Sequence, residues 1–450
     1  MNLNRIHTIY FIGIGGIGMS SLARYFKNNN KLVAGYDRTA TPITHALQQS
    51  GITINFEDRL DVIPSEFLDV ATTLVVYTPA IPKDHKQFNY FKEHGFHILK
   101  RAEVLGEITR NSLCLAVAGT HGKTTTSTML GHILHDNGIN ATAFLGGISE
   151  NYNSNLILGG DDISVVEADE FDRSFMKLFP DIACITSMDA DHLDIYGTKE
   201  ELEDTFVDFS NNVKKALFVE ENLPIKGIKY GFSENAKYRA INLQIHNGVY
   251  TFDLVSPNNT NKKIELPLPG MHNVKNALAA IAMACEYGVS IEKIAASLKR
   301  FKGIKRRFSY KIKTDDFVLI DDYAHHPTEI NAVVETAREM YPEKKILGIF
   351  QPHLFSRTLD FADDFAESLS KFDELILLDI YPARELPIEG VTSSWLLDKV
   401  TLETKKIGTK ETVLHDIRNS EAQVIVMIGA GDIGELINQI QYELKDEVEN

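Results

Sequence analysis

Ile6–Ile12 is a mostly apolar run, and after a glycine-rich turn Met19, Leu22, Ala23 and Phe26 recur at the spacing of one helix face. Strand-like runs return at Lys31–Asp37, Thr73–Thr78 and His97–Leu99, with helical patterns between them. Alternation of this kind predicts βαβ units, hence a parallel sheet covered by helices. A second start appears at Leu113–Ala118, followed by a helical stretch from Thr124, and further strands fit at Ile163–Val166, Ile182–Thr186 and Ala216–Val219. The texture then changes. Ala240–Val255 alternates polar and apolar residues around Asn247-Gly248, a strong hairpin signal that predicts an antiparallel excursion. Helical patterns at Val274–Tyr287 and Ile291–Phe301 close this stretch. A third group of strands fits at Phe317–Ile320, Ile346–Phe350, Glu374–Leu378 and Val424–Ile428.

The chain has 450 residues, enough for about three domains at roughly 150 residues each. The expected architecture is α/β: an N-terminal Rossmann-like parallel sheet (1–107), a central phosphate-loop α/β domain with a small antiparallel part (108–302), and a C-terminal Rossmann-like α/β domain (303–450). The boundaries are placed near Glu107 and Gly303. Apolar residues make up 44% and charged residues 24%, as in ordinary globular proteins. The net charge of −16 repels polyanions, so nucleic acid is not an expected partner, although a local basic pocket for a small phosphorylated ligand stays open. Cys114, Cys184 and Cys285 match no zinc spacing and read as small buried residues in a reducing compartment. The N-terminal apolar run reads as a strand entering a glycine turn rather than as a signal peptide, and no stretch approaches the ~20 apolar residues of a membrane span. The expectation is a cytoplasmic soluble protein without membrane contact, a monomer or weak homodimer.

Gly13, Gly15, Gly16 and Gly18 form G-x-G-x-x-G with one extra glycine, after a strand and before a helix, and Asp37 ends the next strand. Such a loop lets backbone approach a diphosphate at a helix N-terminus, with the acid on a ribose hydroxyl. It specifies a diphosphate and not a nicotinamide, so NAD and a UDP-sugar both satisfy it. A second pattern, Gly429-Ala430-Gly431-Asp432-Ile433-Gly434, lacks a downstream βαβ unit and reads equally as a strand-to-helix turn. Gly119-Thr120-His121-Gly122-Lys123-Thr124-Thr125 follows a strand and opens a helix. Val117 replaces the first glycine of the usual phosphate loop, but the backbone N–H groups, a lysine for the β- and γ-phosphates and a threonine for Mg²⁺ remain. Mg²⁺ needs further oxygen ligands. Two acidic groups at strand ends are candidates: Glu167-Ala168-Asp169-Glu170-Phe171-Asp172, and Asp189-Ala190-Asp191-His192-Leu193-Asp194. Glu167 abuts its strand and is the better fixed.

GTHGKTTT, EADEFDRSF, DADHLDIYG, HNVKNALAA, KRRF and DDYAHHPTEI occur in the order in which the Mur ligases carry them, so that nearly the whole chain resembles this family of ATP-dependent amide-forming enzymes. GIGGIGMS, DDYAHHPTEI and FQPHLFSRT resemble most the branch that adds L-alanine to UDP-N-acetylmuramate. The resemblance implies a UDP-substrate domain using the N-terminal glycines with Met19, Ser20 and Asp37, a central ATPase, and a C-terminal domain that closes over both. It places ATP and Mg²⁺ at Lys123 and Thr124, with Glu167 and His192 at the metal. It sets His272, Asn273 and Asn276 by the adenine, and has Arg307, Asp321 and Asp322 reach the nucleotide. Tyr323, His325, His326, His353 and Arg357 match the amino-acid side.

There are departures from the family pattern. Thr186-Ser187 stands where Thr-Asn is usual, and Leu354 stands where a basic residue is common, so carboxylate recognition leans on Arg357. The implied reaction phosphorylates the lactoyl carboxylate and lets the amine of L-alanine displace phosphate, with His192 or His325 as base. A recycling branch attaches a preformed tripeptide to the same UDP-sugar; the biosynthetic branch fits GIGGIGMS and DADHLDIYG better. An NAD(P)-dependent oxidoreductase leaves the phosphate loop, its acids and the third domain without a role. Zinc held by His325, His326 and His353 is disfavoured, because neighbouring histidines rarely converge on one ion.

Overall fold

Thr8–Ile12 forms the middle strand of a five-stranded sheet, with Leu32–Tyr36 and Thr53–Asn55 on one side and Thr73–Tyr77 and His97–Lys100 on the other. Every pairing is parallel. All five residues of Thr8–Ile12 are buried because helices and loops cover both faces, which is why the run does not alternate. The helix Ile17–Asn28 lays Met19, Leu22, Ala23 and Phe26 onto this sheet. Strand order reverses beside Thr8–Ile12, and such a reversal opens a crevice at the C-terminal strand ends, where the first glycine loop emerges. These facts come from a computed structural model that describes residues 5–189, 196, 198–246, 248–257, 259–383 and 385–448.

The second sheet has ten strands. Leu113–Ala118 lies between Ile163–Ala168 and Ile182–Ile185, parallel to both. Outside Ile163–Ala168 come Ala141–Ser149 and the antiparallel edge strand Ser154–Ile157. On the other side follow Ala216–Glu220, Ile228–Gly231 and then Tyr238–His246, Val249–Ser256 and Asn259–Leu266. The expected hairpin strands flank residues 247 and 248; Asn247 lies outside the described residues, and Gly248 takes φ +81°. The third sheet pairs Val318–Asp322, Val424–Ile428, Ile346–Phe350, Glu374–Leu377 and Thr404–Ile407 in parallel, with Ser309–Lys313 antiparallel at one edge. The α/β class expected from the sequence is the one observed.

Several elements differ from the sequence reading. Ala141–Ser149 escapes the pattern because Gly146-Gly147 interrupts it, and Ser154–Ile157 is only four residues long. Ser309–Lys313 (SYKIK) and Thr404–Ile407 (TKKI) are edge strands, whose lysines guard open backbone groups and erase the apolar signal. The helix expected from Val274 begins at Met271. Cys114 and Cys184 are buried as expected, but Cys285 is half-exposed, near the end of that helix. Glu107 lies inside the helix Arg101–Arg110. Among the described residues no helix is long and apolar enough to cross a membrane.

By compactness the chain groups into two units: Met1–Gln244 with Thr251–Leu266 and Lys275–Lys302, and Gly303–Asn450 with Ile245–Tyr250 and Pro267–Val274. Within the first unit, one apolar core runs from Ile9, Phe11 and Phe26 through Phe144, Leu156 and Ala116 to Phe206 and Val219, so the first two sheets share it. Asn155 donates to the Ile17 carbonyl at 2.6 Å and to Ser20 Oγ at 2.8 Å, tying the second sheet to the first helix. In the second unit the third sheet buries both faces, against Ile330, Val334, Phe365 and Leu396 on one side and Ile417, Ile433, Ile437 and Ile440 on the other.

The helix Arg101–Arg110 packs on the 3₁₀ segment Phe171–Lys177 through Gly106, where a Cβ would overlap the Lys177 carbonyl oxygen. Gly106→Ala should therefore cost about 1–3 kcal/mol, as overpacking does, despite the better helix propensity of alanine. Urea denaturation checks this; a midpoint equal to or above wild type contradicts the close packing.

Candidate active site

The phosphate loop is built from three strand ends. Gly122 precedes the helix Lys123–Asp136 at φ +82°, a conformation only glycine takes freely, and its Cα lies against Asn276, whose Oδ1 would sit 2.5 Å from an added Cβ. Thr186 Oγ1 donates to the carbonyls of Ala118 (3.0 Å) and His121 (2.5 Å). Ser187 Oγ accepts from the His121 N–H at 2.7 Å, so this short side chain holds the loop. Thr120 Oγ1 accepts from the Asp189 N–H, and the His121 ring lies 3.4 Å from the Asp189 carboxylate. Thr126 Oγ1 donates to Asn276 Oδ1 at 3.3 Å, which brings one member of the HNVKN stretch to the loop. Thr125 is buried behind it.

Lys123 is held by an acid that the sequence reading did not assign. Its Nζ donates to Glu170 Oε2 at 2.6 Å and to the Gly119 carbonyl at 2.6 Å. Glu170 is 1% exposed, and its backbone carbonyl accepts from the Tyr196 hydroxyl at 2.5 Å. Burial opposes the charge on Lys123, but Glu170 and Asp169 outweigh it and hold the ammonium above its usual pKa. The E-x-x-E spacing of Glu167 and Glu170 was the available signal. Glu167 ends its strand and accepts from Thr124 Oγ1 and Ser127 Oγ, both at 3.1 Å, and from the Gly146 N–H at 2.5 Å. Burial pushes its carboxyl upward against these bonds. Two hard oxygen groups 3.1 Å apart, at the N-terminus of the loop's helix, suit a Mg²⁺ ion. Asp191, His192 and Asp194 lie outside the described residues. Among the described residues no group of three or more His, Cys, Asp or Glu is placed to hold a metal, zinc through His325, His326 and His353 included.

At the first glycine loop, Gly13 takes φ +85°, and its N–H and that of Ile14 donate to the Tyr36 carbonyl. The Gly15 N–H donates to Asp37 Oδ2 at 2.7 Å, so Asp37 itself engages one loop donor. Gly16 ends the loop ahead of the helix, Gly18 and Met19 are in its first turn, and Ser20 Oγ donates back to the Ile17 carbonyl. A cleft of about 260 Å³ lined by Gly16, Gly18, Thr78, Arg101, Glu167 and Asp169 runs from this loop to the acids beside the phosphate loop. A larger cleft of about 920 Å³, by Tyr25, Asn29, Asn111 and Asp161, lies at the far end of the same helix and includes none of these groups.

The remaining candidates lie in the second unit. Asp321 and Asp322 end the strand Val318–Asp322. Asp322 accepts from the Phe308 and Ala324 N–H groups, both at 2.7 Å, and burial lifts its carboxyl to about 6 although Arg307 opposes this. Asp321 is paired with Arg306 (3.3 Å) and Lys311 (3.5 Å). Neither caps the next helix; His326 does, its Nδ1 accepting from the Thr328 N–H. Arg307 pairs with Glu329 at 3.4 Å and stands over the Tyr323 ring. The rings of Tyr323 and His325 are 5.6 Å apart, and those of His325 and His353 6.0 Å apart. Arg357 is buried in the helix Phe355–Asp360, directly after Leu354, which is strained at φ +72°. His272 and Asn273 begin the helix Met271–Tyr287; His272 is exposed, and Asn273 is buried and donates to the Pro269 carbonyl.

Glu170→Gln leaves a nearly buried lysine without its counter-charge, which should destabilise the protein by about 3–5 kcal/mol. A bound polyphosphate supplies the missing anion, so ATP should raise the melting temperature of Glu170→Gln more than that of wild type. Equal shifts in a thermal melt contradict the idea that Glu170 and the phosphates share one cation.

Three family models match the chain in order: one described as Mur ligase family, catalytic domain, over residues 8–112; the Mur ligase middle domain over 117–284; and the glutamate ligase domain of Mur ligases over 306–433. A UDP-N-acetylmuramate–L-alanine ligase from Flavobacterium psychrophilum is 58% identical, covering 99% of this chain and all of that protein. One of the same name from Flavobacterium johnsoniae is 57% identical with both chains fully covered. The crystal structure of UDP-N-acetylmuramate–alanine ligase MurC from Thermotoga maritima superposes with a TM-score of 0.83 at 27% identity, covering 98% of this chain and 99% of that one. With phosphate loop, glycine loop and acidic strand ends in place and this similarity running from end to end, the chain belongs to the Mur ligase family.

Proposed function

We propose that this protein is an ATP-dependent ligase that joins L-alanine to UDP-N-acetylmuramate in the cytoplasm, a step of peptidoglycan synthesis. The observation that carries this reading is the cleft that connects the diphosphate-type glycine loop to Glu167 beside the phosphate loop within one unit. The 58% identity to a protein named for this activity supports the same choice of substrates.

A carboxylate and an amine do not condense unaided in water, because carboxylate is a poor electrophile. In the proposed reaction a lactoyl carboxylate oxygen attacks the γ-phosphorus of ATP and ADP leaves. The nitrogen of L-alanine then attacks the acyl carbon, and phosphate departs. Residues 1–107 hold the UDP-sugar through Gly13, Gly15, Gly16, Gly18, Met19, Ser20 and Asp37. Residues 108–302 hold ATP through the 119–125 loop and Asn276. Lys123 must exchange its Glu170 partner for phosphate oxygens, so the crowded anions meet a cation already desolvated. Thr124 and Glu167, with His192, would hold Mg²⁺, which supplies further charge neutralisation when bound. In residues 303–450, Arg307, Asp321 and Asp322 serve the nucleotide, and Tyr323, His325, His326, His353 and Arg357 serve the amino acid. The neutral amine requires loss of a proton, for which His325 or His192 is the base.

Phosphate release with UDP-N-acetylmuramate and ATP tests the reading, with L-alanine, a muropeptide tripeptide or NAD(H) supplied in turn. Turnover should require L-alanine. Lys123→Ala should lower kcat by at least ~3 kcal/mol of transition-state stabilisation while UDP-sugar affinity stays near wild type. Turnover with the tripeptide alone, or near-normal ligation by Lys123→Ala, contradicts the assignment.

Arg357→Lys keeps the charge but loses the planar fork that grips a carboxylate. It should raise the KM for L-alanine by ~10-fold or more and leave the KM for ATP within about 2-fold. Steady-state kinetics decide; an unchanged KM for L-alanine removes Arg357 from the amino-acid site.

A further inference from the structure

Acids outnumber cations on the lining of the cleft between the glycine loop and Glu167. Of the described residues lining it, Glu167 and Asp169 carry carboxylates and Arg101 is the single cation. Any anionic arm that passes from the glycine loop toward the phosphate loop must run past those acids, and Arg101 is the cation that lines this path, while Lys123 acts on the same acids from the phosphate-loop side. Arg101 opens the helix Arg101–Arg110, and its guanidinium lies on the backbone of Gly18: a Cβ at Gly18 would stand 2.6 Å from Nη1 and 3.1 Å from Cζ. Absence of a side chain at position 18 is what lets the guanidinium reach the cleft. Its partner in this structure is Asp169, at 3.5 Å from Nη2, a distance beyond good hydrogen-bond geometry. Both side chains are about one-third exposed, 29% and 36%, so the pair is loose and readily exchanged. Arg101 thus faces the middle of the cleft with a planar donor fork and a weak counter-ion.

We infer that Arg101 is a positioning residue that grips the reacting carboxylate of the UDP-sugar and gives up Asp169 to do so. This rests on the UDP-N-acetylmuramate reading above. Two anions of that substrate compete for the assignment, the diphosphate and the lactoyl carboxylate. The diphosphate is served by the glycine loop and its helix N-terminus. The carboxylate has to lie further along the cleft, toward Glu167 and the γ-phosphate, and Arg101 stands on that path between Gly18 and Asp169. A bidentate guanidinium grip fixes the plane of a carboxylate, leaving one oxygen edge aimed at phosphorus. Asp169 then works as a stand-in anion that keeps the fork extended while no substrate is present.

UDP-N-acetylglucosamine carries the same nucleotide, diphosphate and amino sugar but no lactoyl carboxylate, so it separates the two assignments. Calorimetric binding of both compounds is measured on wild type, Arg101→Lys, Arg101→Ala and Asp169→Asn without ATP. Arg101→Ala should weaken UDP-N-acetylmuramate by ~10- to 100-fold, with Arg101→Lys between it and wild type, while UDP-N-acetylglucosamine changes by less than about 3-fold. Asp169→Asn removes the competing anion and should tighten UDP-N-acetylmuramate several-fold without affecting the other sugar. This second variant reads the exchange even if Arg101→Ala folds poorly. Equal weakening of both sugars moves Arg101 to the diphosphate and overturns the inference, as does an Asp169→Asn variant with wild-type affinity. Wild type that fails to prefer UDP-N-acetylmuramate over UDP-N-acetylglucosamine overturns the substrate reading itself.

Discussion

The register of three parallel strands is the constraint on which the rest of the site depends. Leu113–Ala118 pairs with Ile163–Ala168 so that Val117 faces Glu167, and with Ile182–Ile185 so that Ala118 faces Ile185. Parallel strands end on a common edge, so this register delivers Lys123 and Thr124, Glu167 and Glu170, and Thr186 and Ser187 to one place. A slip of one residue in the first pairing would turn Glu167 to the opposite face and remove the partner of Thr124, and a slip in the second would displace Thr186 and Ser187 from the loop. The largely apolar character of LCLAVA and ISVV secures the register mainly by burial. Polar groups complete it: Thr186 and Ser187 clasp the backbone of Ala118 and His121.

Electrostatics follows from that geometry. A lysine taken out of water costs several kcal/mol unless an anion accompanies it. Glu170 meets this need, and the bond from the Tyr196 hydroxyl to the Glu170 carbonyl helps fix the acid in place. Lys123 is consequently charged and desolvated before any nucleotide arrives, so little reorganisation remains for the chemical step. Glu167 differs. It accepts two hydroxyls and one backbone N–H, a donor set that orients its oxygens beside Thr124.

How much of this was legible depended on whether a feature is local in sequence. Strand Leu113–Ala118 and its loop could be read because one continuous segment holds strand, glycines, lysine and threonine. Glu167 could be placed because it abuts an apolar run. Glu170 lay three residues on in the same string, but its burial depends on packing that sequence spacing does not record. Arg101 gave no local signal at all; its meaning comes from Gly18, eighty-three positions earlier, and Asp169, sixty-eight later. Edge strands such as Thr404–Ile407 were lost for the opposite reason, since lysines placed to protect an edge look like loop. Asp321 and Asp322 close the strand Val318–Asp322, but the cap of the following helix comes from His326, whose role depends on a turn that the sequence pattern does not record.

The common core of the first two sheets has a consequence for how such a chain can be reassembled in evolution. Family models divide the sequence near residue 112, which invites a picture of interchangeable modules. Phe11, Phe26, Phe144 and Leu156 belong to one apolar cluster, however, and Asn155 is spent on the backbone of the first helix. Recombining a foreign N-terminal segment at that seam would have to match this surface residue by residue or expose it to water. Inheritance of the two segments as a linked pair, with change confined to their loops, is the outcome that such packing favours.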